Sequence, residues 1–422
     1  MTHGPARMLW GLFSLFVVYG TTLPFSFRLE PGYLAARVER INWHPLGMRN
    51  GDICTPDLLQ NILLFIPFGF LGYISLHEKR SRLKKTALVL MGASLSAFVE
   101  CLQIFSLTRW PAISDVIFNA LGTAVGVGLG MALKTSVLGL KSAPRWRRLL
   151  DAPSAYPFLV FALLAVVGTW EPFDFALDVG AFKHKVKSLL RVPDFQLPND
   201  ELAVFIRFLL ATLFACRLAT ELGLRRPALR AAAALAVCAV GLEATQIIIQ
   251  SRSPSAQDAV TALLGVLGGG IAFGFPGFRE HPWKWSAVGS LAVLASAVMA
   301  GFWPFRFHPG HGGINWLPFL SEYSGSAFAA LSNFLGNAML FFPLGFLLGY
   351  FFPGSRRAPM VALVLALVMS IGVEVGQGLV EGRHSDITDV IGALTGCLAG
   401  SLALTRGWRA YRGYVAERPT PI

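Results

Sequence analysis

The feature that most constrains this chain is a succession of twelve apolar windows, each near the 20 or so residues a helix needs to cross a bilayer core. They begin near Met8, Leu58, Thr86, Ser114, Tyr156, Glu201, Leu229, Gln257, Trp285, Phe328, Pro359 and Asp386. Of the 422 residues, 54% are hydrophobic and 14% charged, whereas a water-soluble domain spends about 25% on charge. Such a chain cannot cover its own surface in water. Disorder, a coiled coil and an ordinary soluble enzyme are excluded. The expected fold is all-α, a polytopic transmembrane helix bundle of about 12 spans. The first window has signal-peptide length, but its equivalent recurs twice, so it is read as a span.

The formal net charge is +12. The basic residues lie in short loops between apolar segments, which points to membrane orientation rather than nucleic-acid binding. Of 36 Lys and Arg, 23 fall at the N-terminus and the connections on its side. The positive-inside rule then puts both termini in the cytoplasm and turns the loops of Arg109, Arg252 and Arg383 outward. The five cysteines, Cys54, Cys101, Cys216, Cys238 and Cys397, are scattered without a CxxC, so disulfides are not expected.

Self-comparison divides the chain further. Glu100, Gln103, Arg109, Asp115 and Gly122 return as Glu243, Gln246, Arg252, Asp258 and Gly265, and again as Glu374, Gln377, Arg383, Asp389 and Gly396, with identical spacing. Pro24-Phe25-Ser26-Phe27 recurs at Pro172–Phe175 and Pro304–Phe307, and Ile41-Asn42-Trp43-x-Pro45 recurs at Ile314–Pro318. Asn61, Pro67 and Gly69 open one span, and Asn337, Pro343 and Gly345 another. In the middle segment the best local match puts Glu201, Arg207 and Leu209 at those places. The expected organisation is three parallel four-helix repeats, over residues 1–140, 151–276 and 285–405, followed by a basic cytoplasmic tail, 406–422.

In each repeat Glu and Gln share a helix face, Arg lies in the following outer turn, and Asp opens the next helix, where a carboxylate suits the N-terminus. The Glu stands roughly 7 Å inside its span at 1.5 Å per residue. An ionisable residue there is a functional hypothesis by default. Two readings stand together: the Asp caps a helix and the Arg pairs with Glu to hold the hairpin, or the four converge on a binding site. Gly122-x3-Gly126, Gly265-x3-Gly269 and Gly396-x3-Gly400 are expected to let helices pack closely. Ala181–Arg191 reads as an interfacial basic helix. His184, His308, His311 and His384 do not align between repeats, and there is no HExxH, Walker loop or dinucleotide loop. No metal and no cofactor are expected.

The run from Asn61 through Phe65, Pro67 and Gly69, followed by Glu100, Gln103, Arg109, Asp115, Asn119 and Gly122, resembles the VanZ-like family of bacterial membrane proteins. Repeat three carries Asn337, Phe341, Pro343, Gly345, Glu374, Gln377, Arg383, Asp386, Asp389 and Gly396. It has Ala393 in place of Asn119, and repeat one has Ala112 in place of Asp386. The middle repeat keeps only the Glu-Gln-Arg-Asp-Gly half. The resemblance implies a link to resistance against teicoplanin, a lipoglycopeptide acting at the cell surface. The leading expectation is therefore a non-enzymatic envelope protein whose outward clusters bind a surface lipid, glycan or glycopeptide, with membrane lipids as partners and no nucleic acid. A transporter or flippase, and a membrane-embedded hydrolase or transferase with Glu as general base, are the alternatives.

Overall fold

The computed structural model describes residues 3–46, 55–76, 81–142, 154–170, 201–249, 251–275, 282–303, 305–307, 313–320, 327–352 and 357–416, and positions 149, 152, 185 and 355. Among them are thirteen α-helices: α1 (His3–Thr22), α2 (Pro31–Glu39), α3 (Thr55–Ser75), α4 (Arg82–Gln103), α5 (Ile113–Ser142), α6 (Ala155–Trp170), α7 (Glu201–Glu221), α8 (Pro227–Thr245), α9 (Ala256–Gly274), α10 (Pro282–Phe302), α11 (Ala327–Phe351), α12 (Ala358–Gln377) and α13 (Ile387–Ala416). No strand occurs among the described residues, only isolated β-bridges. Each of the twelve expected windows falls on a helix, and α2 is the short addition. Eight helices are long and apolar enough to cross a membrane, and Pro157–Trp170, Ala287–Phe302 and Ile387–Leu402 are shorter apolar stretches. In hydrocarbon every backbone polar group needs a partner within the chain, and a helix supplies it. The chain is a multi-pass helical membrane protein. The expected tail is helical as far as Ala416. Of Ala181–Arg191 only Lys185 is described; His184, His308, His311, Pro172–Phe175 and Cys54 lie outside the described residues.

The chain forms two compact bodies. Body one holds α1–α5 and the first turn of α11, Ala327–Leu331. Its core joins Val17, Leu64, Phe65, Phe68, Leu88, Val127 and Phe328. The closest packing is between α3 and α5. A methyl group added at Gly69 would collide with the backbone of Thr123, and one at Gly122 or Gly126 with the carbonyls of Ile62 or Ile66. Here glycine is required by backbone approach, as the small-x3-small pattern predicts.

Body two holds α6–α10, the rest of α11, α12 and α13. Phe161, Phe214 and Phe346 lie at its centre, Phe161 stacking on Phe214 at 5.7 Å and meeting Phe346 edge-on at 5.1 Å. Gly396 and Gly400 abut the carbonyls of Ala338 and Phe342, and Gly265 and Gly269 those of Phe205 and Leu209. These contacts set the register of the middle repeat. Phe205 stands where Ile62 and Ala338 stand, so Val204, Leu210 and Thr212 match Asn61, Pro67 and Gly69. The local alignment through Glu201, Arg207 and Leu209 is three residues out of step with it.

The two Pro-Phe-x-Phe segments in view terminate helices. Phe25 (φ 61°) and Phe305 (φ 60°) adopt the left-handed conformation, rare for a bulky residue. Their N–H groups bond back to Thr22 (2.9 Å) and Phe302 (2.6 Å).

Candidate functional site

In all three repeats the glutamate closes the hairpin on the backbone twelve residues ahead. Glu100 Oε2 accepts the N–H of Ala112 at 2.8 Å, Glu243 Oε1 that of Ser255 at 2.8 Å, and Glu374 Oε2 that of Asp386 at 2.6 Å. The donor is each time the residue just before the next helix. All three glutamates are buried.

This corrects the placing of the aspartates. The cap residue is Ala112, Ser255 or Asp386, and Asp115, Asp258 and Asp389 stand three residues further on, inside the first turn. Ser255 accepts from the N–H groups of Gln257 and Asp258 at 3.2 and 3.4 Å. Asp386 accepts from Thr388 N at 2.6 Å and from Asn315 Nδ2 at 3.1 Å. A carboxylate in the first turn is still favoured by the helix dipole, but it is not the cap.

The recurring loop motifs clamp this hairpin. Phe27 bridges Ser106 and Phe307 bridges Val380, while Asn42 bridges Ala112 and Asn315 bridges Asp386. Asn42 accepts the N–H of Ile113 at 2.9 Å, and Asn315 that of Ile387 at 3.0 Å, both through the backbone carbonyl. Arg37, also buried, donates to Ser106 O at 2.8 Å and stacks 3.9 Å from the Trp110 ring. Sequence reasoning saw these motifs repeat without finding this role, and it missed Arg37.

The arginines differ between repeats. Arg109 and Arg252 stand close enough to Glu100 and Glu243 to attract them. Arg383 instead donates Nε to Trp303 O at 3.1 Å and Nη2 to Ala300 O at 2.8 Å, so it caps the C-terminal end of α10. Gln246 Nε2 donates to Glu243 at 3.1 Å, and the Oε1 atoms of Gln246 and Gln377 are both buried with no hydrogen-bond partner among the described residues.

The polar residues meet in a cavity in each body. In body one Asn61, Glu100, Gln103, Arg109, Asp115 and Asn119 line a space of about 50 Å³, closed on its apolar side by residues including Val17, Leu64 and Phe328. In body two Asn337, Glu374, Gln377, Arg383 and Asp389 line about 240 Å³ with Ala297, Leu340 and Phe341 among their apolar neighbours. Asp386 is buried beside the latter. Asn119 Nδ2 donates to Ser96 Oγ at 2.8 Å, and Asn337 Nδ2 to Asp389 Oδ1 at 2.5 Å. Where Asn119 narrows the first cavity, body two has Ala393. Ser96 and Ser370, each four residues before its glutamate, are site residues a Ser-x3-Glu pattern could have disclosed. In the middle repeat the contact register puts Arg207 where Leu64 and Leu340 line the cavities. Its guanidinium packs onto Gly168 of α6. No group of three or more His, Cys, Asp or Glu able to hold a metal occurs among the described residues.

The helices and their clamped polar hairpins define a class: multi-pass membrane proteins with acid–amide cavities. The VanZ/LLP1 family model matches residues 10–134 and 289–407. That is more than half of the 422 residues, and the chain belongs to the VanZ/LLP1 family. The matches cover two segments, where three repeats were expected; the middle one lies outside them. Searches of curated proteins and of solved structures found no match.

Proposed function

We propose that this chain is an inner-membrane protein of the cell envelope, with both termini in the cytoplasm, that binds the polar part of a surface lipid, glycan or glycopeptide at its polar clusters. The observation that carries this reading is their equivalence: Asn61, Glu100, Gln103, Arg109 and Asp115 recur as Asn337, Glu374, Gln377, Arg383 and Asp389 around a cavity in each body. Binding pockets for drug-sized molecules run from about 300 Å³ upward. A cavity of about 240 Å³ suits a headgroup or one sugar rather than a whole glycopeptide. The middle repeat, with Arg207 at the cavity position, serves as structure in this reading.

An oxygen of each glutamate is engaged by a backbone N–H, which supports a positioning and binding role over that of general base. The test is Glu100→Gln and Glu374→Gln at unchanged expression. Gln keeps a carbonyl for the backbone bond and removes the charge. Reduced retention of copurifying envelope ligand, or altered sensitivity to surface-acting glycopeptides, supports the reading. No change in either variant removes the clusters from function. Uptake of ligand into proteoliposomes driven by a pH gradient would replace binding by transport.

A further inference from the structure

We propose that the body-two cavity is a site for a primary ammonium group, carried by an ethanolamine-type lipid headgroup or by a soluble amine. The proposal rests on the binding reading above and names its ligand chemistry.

The first argument is an orphaned acceptor. Gln377 lines the cavity and is only 6% exposed, and among the described residues no donor reaches its Oε1. A buried carbonyl oxygen without a donor costs about 1–3 kcal/mol, so the site is completed by a ligand that brings an N–H or O–H.

The second argument is charge. Glu374 and Asp389 both line the cavity and stand close enough to repel one another, and Asp386 adds its repulsion. Carboxylates crowded in this way are stabilised by a cation between them. The cation expected to neutralise them, Arg383, spends Nε and Nη2 on the carbonyls ending α10. Body one is different: Arg109 acts on Glu100, and the space is about 50 Å³.

The third argument is size. At about 240 Å³ the space far exceeds one ion or one water, whose share of liquid is about 30 Å³. An ammonium with its adjoining methylenes matches a wall that combines two carboxyls and an amide oxygen with Ala297, Leu340 and Phe341. Its three N–H donors meet Gln377 Oε1, Glu374 and Asp389.

The experiment uses the full chain in nanodiscs made in turn from phosphatidylethanolamine, phosphatidylcholine and phosphatidylglycerol, with lipid retention read by native mass spectrometry. Soluble phosphoethanolamine, phosphocholine and glucosamine are titrated in parallel. We expect the primary amine to exceed its trimethylated counterpart about tenfold or more, because the quaternary group has no N–H. Retention of the lipid alone identifies a headgroup site; binding of phosphoethanolamine or glucosamine identifies a soluble amine. Gln377→Leu, which breaks no recorded hydrogen bond, should remove at least about tenfold of that preference with thermal unfolding unchanged. Equal binding of amine and quaternary forms, or saturation by an inorganic cation alone, overturns the ammonium assignment. Preferred retention of phosphatidylglycerol, lost in Glu374→Gln, also overturns it while leaving the binding reading intact. Absence of any retained ligand overturns both.

Discussion

Glu374 holds the backbone N–H of Asp386 at 2.6 Å, joining the C-terminal end of α12 to the start of α13. Glu100 with Ala112 and Glu243 with Ser255 repeat the relation at 2.8 Å. A carboxylate buried in each hairpin thus does the work a capping side chain does elsewhere, but from the preceding helix. Ser385 Oγ adds a bond to the Glu374 carbonyl at 2.6 Å.

This relation separates charge from hydrogen bonding. Glu374→Gln keeps an acceptor for Asp386 N–H; Glu374→Ala leaves that buried donor unpaired, at a cost of about 1–3 kcal/mol. Thermal unfolding of the purified protein should place the Gln variant near the parent and the Ala variant clearly below it. An Ala variant as stable as the parent would mean that the hairpin is held by other contacts.

Arg383 makes a second prediction. Its fork spans Ala300 O and Trp303 O, a geometry that the single ammonium of lysine does not reproduce. Arg383→Lys and Arg383→Met should both speed hydrogen exchange in the last turn of α10 and the turn after it, the Met variant more strongly, and leave α8 unaffected. Uniform exchange throughout would show that the arginine acts elsewhere.

The span positions, the glycine faces and the Glu-Gln-Arg-Asp hairpins were legible because each is local: a run of apolar residues, or a fixed spacing within one hairpin. What was not legible depends on partners far along the chain. Arg383 reads as a partner for Glu374 by proximity in sequence, yet it bonds to α10 some eighty residues earlier. Asn315 and Asp386 are 71 residues apart, so the repeated Ile-Asn-Trp signal carried no hint of what it touches. The Asp389 position looked like a cap because Asp suits that role, but an acid three residues earlier already filled it. In the middle repeat, aromatic similarity around Phe205–Phe208 outweighed the less visible rule that glycine must face a backbone carbonyl. That rule gives the register.

The glycine contacts make a third prediction. A methyl group at Gly345 or Gly396 meets the backbone of Cys397 or Ala338, and one at Gly269 meets that of Leu209. At Gly128 and Gly270 nothing lies within 4 Å. Ala at the first three should cost about 1–3 kcal/mol through overpacking; at the last two it should be neutral or stabilising by up to about 1 kcal/mol, from helix propensity. Gly268, whose nearest neighbours are side-chain atoms at 3.4 Å, should fall between. Denaturant unfolding of this series tests the middle register directly: if Gly268→Ala proves worse than Gly269→Ala, the register is wrong.

The orientation makes the fourth. Leu83 in the first turn of α4 and Leu107 just beyond its last turn are 79% and 49% exposed. The helix has 22 residues, about 33 Å at 1.5 Å per residue, enough to cross a core of about 30 Å. The two leucines are therefore expected on opposite faces of the membrane. Arg82, Lys84 and Lys85 cluster at the Leu83 end, which the positive-inside rule assigns to the cytoplasm. Cys101 and Cys238 are exposed, and Cys54 stands just before α3 in the sequence, so the measurement belongs in a background with all three replaced by Ala. There, a membrane-impermeant thiol reagent should label Leu107→Cys on intact cells and Leu83→Cys only after permeabilisation. The opposite pattern would turn every Glu-Gln-Arg-Asp hairpin toward the cytosol and redirect the search for ligands to that side; labelling of both sites on intact cells would mean that α4 does not cross.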